Sequence, residues 1–206
     1  LQVKELQRVV PDLAGALTAE GHAWGARDDP SITLTARGES ITRGAEVLAA
    51  PELLLRLETL LSRPRAEAHL NAAYAGLPMT LELRGVPEDA ALRLEKLEAA
   101  FGPARLVGSG LLDVHKPLFD GALALSIPDL APFAGLLGHE LTGAVSLEAT
   151  GASADGAQQI AARISAPEVV FDGRKLALQA ELTGGLDAAR ATLEAQFGAA
   201  KLTSAA

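Results

Sequence analysis

Most of this chain alternates apolar and polar residues with a period of two. In MTLELRG (79–85), Met79, Leu81 and Leu83 fall on one parity; Thr80, Glu82 and Arg84 fall on the other. In KLALQAELTG (175–184), Leu176, Leu178, Ala180 and Leu182 alternate with Lys175, Gln179 and Glu181. The same pattern runs through LAGALTAEG (13–21), SITLTARG (31–38), GALALSI (121–127) and LTGAVSLEA (141–149). Successive side chains of a strand point to opposite faces, so strict alternation means a strand with one apolar face, the habit of antiparallel sheets. Turn-forming clusters punctuate the runs: RDDPS, SRPR, AGLP, FGP, HKP, SAP, FDG and TGG. Their spacing predicts a mainly β antiparallel meander.

Two segments fit both periods. PELLLRLETLLSR (51–63) carries a helical stripe of leucines, yet it also alternates Leu53, Leu55 and Leu57 with Glu52, Arg56 and Glu58. Leucine favours helix on propensity. We assign strand here, because SRPR followed by RAEAHLNAAYAG completes a hairpin, and assign DAALRLEKLEAAFG (89–102) likewise.

One helix is expected, over about 129–137 in DLAPFAGLLG. Asp129 suits the N-cap and Pro132 the first turn; Leu130, Phe133 and Leu137 share a face; Gly138 ends it. Two turns are too few to stand alone, so this helix must lie on the apolar face of the sheet, as a cap on exposed core or as a plug.

The strand motif recurs. LAGALTAE from Leu13, FDGALALS from Phe119 and LTGAVSLE from Leu141 share a glycine two residues after an apolar one. A glycine on the inward parity leaves room for close backbone approach. The copies keep no fixed period, so they indicate a strand type and not a solenoid repeat.

A dozen strands about 4.8 Å apart give a sheet on the order of 60 Å long whose apolar face must be hidden. It can split into a sandwich or curl into a trough. Aromatics are 3% of the 206 residues against 49% apolar overall, and a Leu and Ala lining suits a smooth open surface better than a filled core. The inward set is Leu17, Leu34, Leu81, Leu83, Leu123, Leu125, Val145, Leu147, Leu176, Leu178 and Leu182, with Phe133 facing it from the helix.

Other functions find little support. A net charge of −8 without a basic run argues against nucleic acid. No apolar run reaches the roughly 18 residues of a membrane span. There is no cysteine, and His22, His69, His115 and His139 stand apart without ligand spacing, so no metal or other cofactor is expected. Asp28-Asp29 before Pro30 is turn chemistry, and no nucleophile elbow, P-loop or dinucleotide fingerprint occurs. The chain is not expected to be an enzyme. Trp24 and Tyr74 are taken as packing residues with a wet edge. The opening LQVKELQRVV is no signal peptide and AQFGAAKLTSAA breaks off within an alternation, so residues 1–206 are expected to be one elongated segment of a longer chain.

The order of motifs resembles the interior of TamB and the AsmA-like β-groove proteins of Gram-negative envelopes. The resemblance rests on Gly108 to Asp113, the strand from Pro117, the Asp129-Leu130-Ala131-Pro132 helix start and Leu141-Thr142-Gly143. GALTAEGHAWGARDDPSITLTARG (15–38) is similar to another recurring unit of that family. The family's N-terminal membrane anchor is not among these residues. The resemblance implies a β-taco, a long curved sheet with an open apolar groove. It further implies a periplasmic location, an inner-membrane anchor in the parent protein, and docking to an outer-membrane barrel of the TamA type. The implied function is conduction of phospholipid between the two membranes, with acyl chains on the lining residues, in support of outer-membrane protein assembly. The alternative is a scaffold that holds client β-strands.

Overall fold

The computed structural model describes residues 2–3, 12–88, 91–113, 119–154, 157–185, 188–198 and 200–205. His115 and the HKP turn lie outside them. Strand makes up 81% of the structure, beside one short helical segment. The strands are β1 (Gln2–Val3), β2 (Ala14–Ala26), β3 (Asp29–Arg43), β4 (Glu46–Glu58), β5 (Arg65–Tyr74), β6 (Leu77–Glu88), β7 (Ala91–Phe101) and β8 (Ala104–Asp113). They continue as β9 (Phe119–Ile127), β10 (Leu141–Thr142), β11 (Val145–Ala154), β12 (Ala157–Phe171), β13 (Arg174–Gly185), β14 (Ala189–Phe197) and β15 (Ala200–Ala205).

All belong to one open antiparallel sheet that does not close into a barrel, and they follow each other in chain order. The exception is β10, which pairs with β12 beside β11. Contacts divide the chain into two compact units: Leu1–Asp89 with Arg93–Gly102, and Ala90–Leu92 with Pro103–Ala206.

Both leucine-rich segments form strands, although the first does so only as far as Glu58; residues 59–63, with Leu60 and Leu61, are the loop that follows. Leu53, Leu55 and Leu57 of β4 sit opposite Ala36, Leu34 and Ile32 of β3 on one side, and Leu70, Ala68 and Ala66 of β5 on the other. Cross-strand apolar pairs and an alternating charged set override the helical propensity of leucine. Among the two-residue hairpin turns, Ala75-Gly76 (φ 50° and 80°) and Asp172-Gly173 (φ 47° and 74°) have positive φ at both positions, which matches the twist of the flanking strands.

Three expectations about turns and strands are corrected. SAP (165–167) is a bulge inside β12, where the register shifts between Ala166 and Val169, because Pro167 cannot donate to a ladder. TGG (183–185) completes β13 and is not a turn. LTGAVSLEA is two strands, broken where Gly143 takes φ 106°. A Cβ on Gly143 would stand 2.1 Å from the Glu168 carbonyl oxygen, so this close pass admits glycine alone.

The helical segment is a 3-10 turn (Ala131–Phe133) running into one α-turn, α1 (Ala134–Leu137), ended by Gly138 in the left-handed region (φ 69°). Asp129 is not the N-cap; that residue is Leu130. The Asp129 carboxylate accepts the Ala131 N–H at 2.9 Å, an Asx turn one residue earlier, and this turn winds the chain as 3-10. Leu130 is buried and Phe133 half-buried, while Leu137 is 57% exposed. The expected three-residue face is therefore two: the segment is anchored by its first turn, and one α-turn does not bring its far end down onto the sheet.

Among the described residues, the buried apolar set is small: Ala36, Leu130, Leu141, Ala166 and Val169. The accessible surface is 13335 Å². A closed 21.2 kDa protein exposes about 9,100 Å², and two separate domains of half that mass about 10,900 Å². No helix among the described residues is long and apolar enough to cross a membrane.

Candidate functional site

In the first unit the register gathers one parity onto one face. Leu34 faces Gly21 and Leu55; Leu55 faces Ala68; Ala68 faces Leu83. The next row is Ala36, Leu53, Leu70 and Leu81. Leu17 joins this face opposite Gly38, in a shallow depression at the β2–β3 bulge. Leu17, Leu34, Leu81 and Leu83 thus share one face, and each is half-buried. Tyr74 and Phe101 meet at 6.2 Å on the same side.

The opposite face of this unit is an ion ladder. Glu52 meets Arg37 at 2.7 Å, Glu67 meets Arg84 at 3.3 Å and Arg56 at 3.9 Å, and Glu82 meets Lys96 at 2.8 Å. The hydrogen bond from the Lys96 ammonium holds Glu82 below the usual carboxylate range, and Glu82 in turn holds Lys96 up. His69 lies here opposite Glu82, the outward position that its parity predicts. These pairs are solvated and contribute little stability each.

In the second unit the rows are longer. Leu106, Leu125, Leu147, Ile164, Ala180 and Leu193 stand in register from β8 to β14. Beside them run Gly108, Leu123, Ala149, Ala162, Leu182 and Ala191. Ser126, Ser146, Ser165, Gln179 and Glu194 occupy the other face, as does Glu148 opposite Arg163. Leu123, Leu125, Val145, Leu147, Leu176, Leu178 and Leu182 therefore share the apolar face. Val145, Leu176 and Leu178, with Phe133, pack around Leu130, Leu141, Ala166 and Val169 beneath the helical segment. Elsewhere on this face Leu123, Leu125 and Leu147 are half-buried, and Leu182, Phe197 and Leu202 are 37%, 44% and 57% exposed.

One constellation on this face escaped the sequence reading. Gly110, Gly121 and Gly151 align across β8, β9 and β11, and the Phe119 ring lies over all three. A Cβ on any of them would meet that ring at 2.7–2.9 Å. Gln158, 5% exposed, fixes the Phe119 backbone: its Oε1 accepts the Phe119 N–H at 2.7 Å and its Nε2 donates to the Phe119 carbonyl at 2.9 Å. Beside it the Asp120 carboxylate accepts the Ser153 hydroxyl (2.6 Å) and the Ser153 N–H, which hold its pKa down. Ring-over-glycine packing compensates the missing side chains of the glycine row. The inward glycine was a legible signal; its ring and amide partners depend on register.

Asp28-Asp29 is turn chemistry, as expected. The Asp29 carboxylate accepts the Leu61 N–H at 3.0 Å and the Ser62 hydroxyl, tying the β4–β5 loop to the start of β3. His22 stacks on Trp24 at 6.1 Å, and Trp24 stays 39% exposed. His139 does have a partner, Asp172, at 2.9 Å. Among the described residues no cluster of three His, Cys, Asp or Glu side chains is placed to hold a metal.

No family model, curated protein or solved structure matches this chain.

Proposed function

We propose that the apolar face takes up phospholipid acyl chains, and that the chain is a periplasmic lipid-conducting module of the TamB and AsmA-like kind supporting outer-membrane protein assembly. The observation that carries this reading is the row from Leu106 to Leu193, apolar side chains in register across six paired strands, each half-buried and none fully enclosed. Fully burying a CH₂ contributes about 0.8 kcal/mol, so a chain of about sixteen carbons covered on one side gains roughly 6 kcal/mol. That is enough to hold lipid and little enough to let it move on. The polar headgroup stays in water. On this reading the module binds without chemistry. Its parent protein is anchored in the inner membrane and docks a TamA-type barrel.

The test exploits register. Leu125 and Leu147 are direct cross-strand partners on the apolar face, while Ser126 and Glu148 are their neighbours on the other face. A photo-crosslinking side chain at Leu125, Leu147 or Phe133 in the parent protein captures phospholipid in the envelope; the same group at Ser126 or Glu148 does not. Equal labelling on both parities, or none on the apolar one, rejects the conduit.

The same apolar rows favour a second reading, the strand scaffold, in which they hold the apolar side chains of a client β-strand. Saturable binding of unfolded barrel strands, with no lipid captured at Leu125 or Leu147, would put this reading first.

A further inference from the structure

The segment from Pro128 to Glu140 lies on the apolar face of the second unit yet is built independently of the sheet. Its hydrogen bonds run largely within itself: Phe133 N–H to the Leu130 carbonyl at 3.0 Å, Gly138 N–H to the Ala134 carbonyl at 2.9 Å, and Ala131 N–H to Asp129. It is tied down at its two ends. At the start, the Leu130 N–H donates to the Gly143 carbonyl at 2.8 Å. At the far end, Asp172 forms a latch. Its Oδ1 accepts the Glu140 N–H at 3.0 Å, its Oδ2 meets His139 Nδ1 at 2.9 Å, and its own N–H donates to the Glu140 carbonyl at 2.9 Å.

The strand pairing beneath does not run through this segment. Residues 146–151 of β11 are paired on both sides, with β9 and with β12. The outer side is open: a Cβ on Gly135 or Gly138 would meet nothing within 4 Å. What the segment contributes is one buried side chain, Leu130, with Phe133 and Ala134 partly buried, over Val145, Ala166, Val169, Leu176 and Leu178.

We infer that residues 128–140 form a hinged flap, latched by Asp172, which opens while the sheet stays intact and adds the Val145–Leu178 patch to the apolar face. The flap sets how much of that face is available. In this it rests on the acyl-chain reading, although its opening does not require lipid to be observed. A short segment whose backbone hydrogen bonds run largely within itself belongs to the low-stability end of a fold.

Native-state hydrogen exchange tests the motion. The amides of Phe133, Gly138 and His139 exchange well before those of residues 146–151. Asp172→Asn keeps the left-handed turn but loses the carboxylate, and speeds flap exchange on the order of fivefold. Leu130→Ala removes the anchor at the other end and does the same. Residues 146–151 are unchanged in both variants. Flap and sheet amides exchanging together, or both variants accelerating both, would overturn the flap.

A fluorescent fatty acid, cis-parinaric acid, separates the two claims. Higher uptake by Leu130→Ala than by wild type supports the gating role; equal uptake by the two refutes it. Flap opening with no uptake by either protein sinks the acyl-chain reading and leaves the moving flap standing.

Discussion

Gly121 is where a single methyl group tests the described register most sharply. It lies in β9 between Gly110 and Gly151, and an added Cβ would stand 2.2 Å from the Ser109 carbonyl oxygen, 2.6 Å from Gly110 Cα and 2.7 Å from the Phe119 ring. Ordinary carbon–oxygen contact is about 3.3 Å, so a strand must move by about 1 Å. The Phe119 ring must also leave its glycine row, which strains the two bonds that Gln158 makes to its backbone. Overpacking of this kind costs about 1–3 kcal/mol, and two backbone clashes and one ring put Gly121→Ala at the upper end. For a unit of about 100 residues each kcal/mol shifts melting by about 4–8 °C, so the second unit should melt more than about 10 °C lower. Gly21→Ala is the control. Gly21 sits on the apolar face of the first unit, and its Cβ would meet Leu34 at an ordinary 3.9 Å. That change should be neutral or add about 0.5 kcal/mol. Circular dichroism melts measure both, and hydrogen exchange places the loss in β8, β9 and β11. Gly121→Ala melting within about 2 °C of wild type would refute the register argument.

Two further outcomes follow from the faces and the clamps. Leu147→Asp, on the open face, should lower stability by about 2–3 kcal/mol and leave a cooperative transition, because its carboxylate stays wet; unfolding of the second unit would mean that this face is closed. Asp29 and Asp120 have folded pKa values below the ordinary aspartate value of 3.8, Asp29 through the Ser62 hydroxyl and the Leu61 N–H, Asp120 through the Ser153 hydroxyl and N–H. Their stabilising effect is therefore complete above that value and is lost as the pH falls through it towards the folded pKa. Acid titration of Asp120→Asn, followed by circular dichroism, should show a shallower loss of stability below about pH 4 than wild type; an unchanged slope would contradict the clamp.

Period-two alternation made the strands and their apolar set readable, since a strand's faces follow from local sequence alone. It reached even Leu53–Leu57, where propensity pointed the other way, because the charges between the leucines alternated as well. Distance in sequence limited the rest. Pro167 reads as a turn until Leu176 and Leu178 of β13 show the ladder resuming beyond it. Gln158 shows nothing locally of its hold on Phe119, 39 residues away. Asp129 looked like an N-cap because a cap and an Asx turn use the same side chain, one residue apart. The His139–Asp172 contact needed the β12–β13 turn to be placed first.

Serial pairing has a consequence for how such a protein grows. Except at β10, each strand is hydrogen-bonded to its predecessor and its successor in the chain. No strand waits for a distant one, so ordering can proceed like a zipper, one hairpin at a time, with little loop entropy to overcome at any step. Inserting or deleting a hairpin leaves every other pair in register. Length is thus a free variable of this architecture, one that duplication can adjust without redesigning a core.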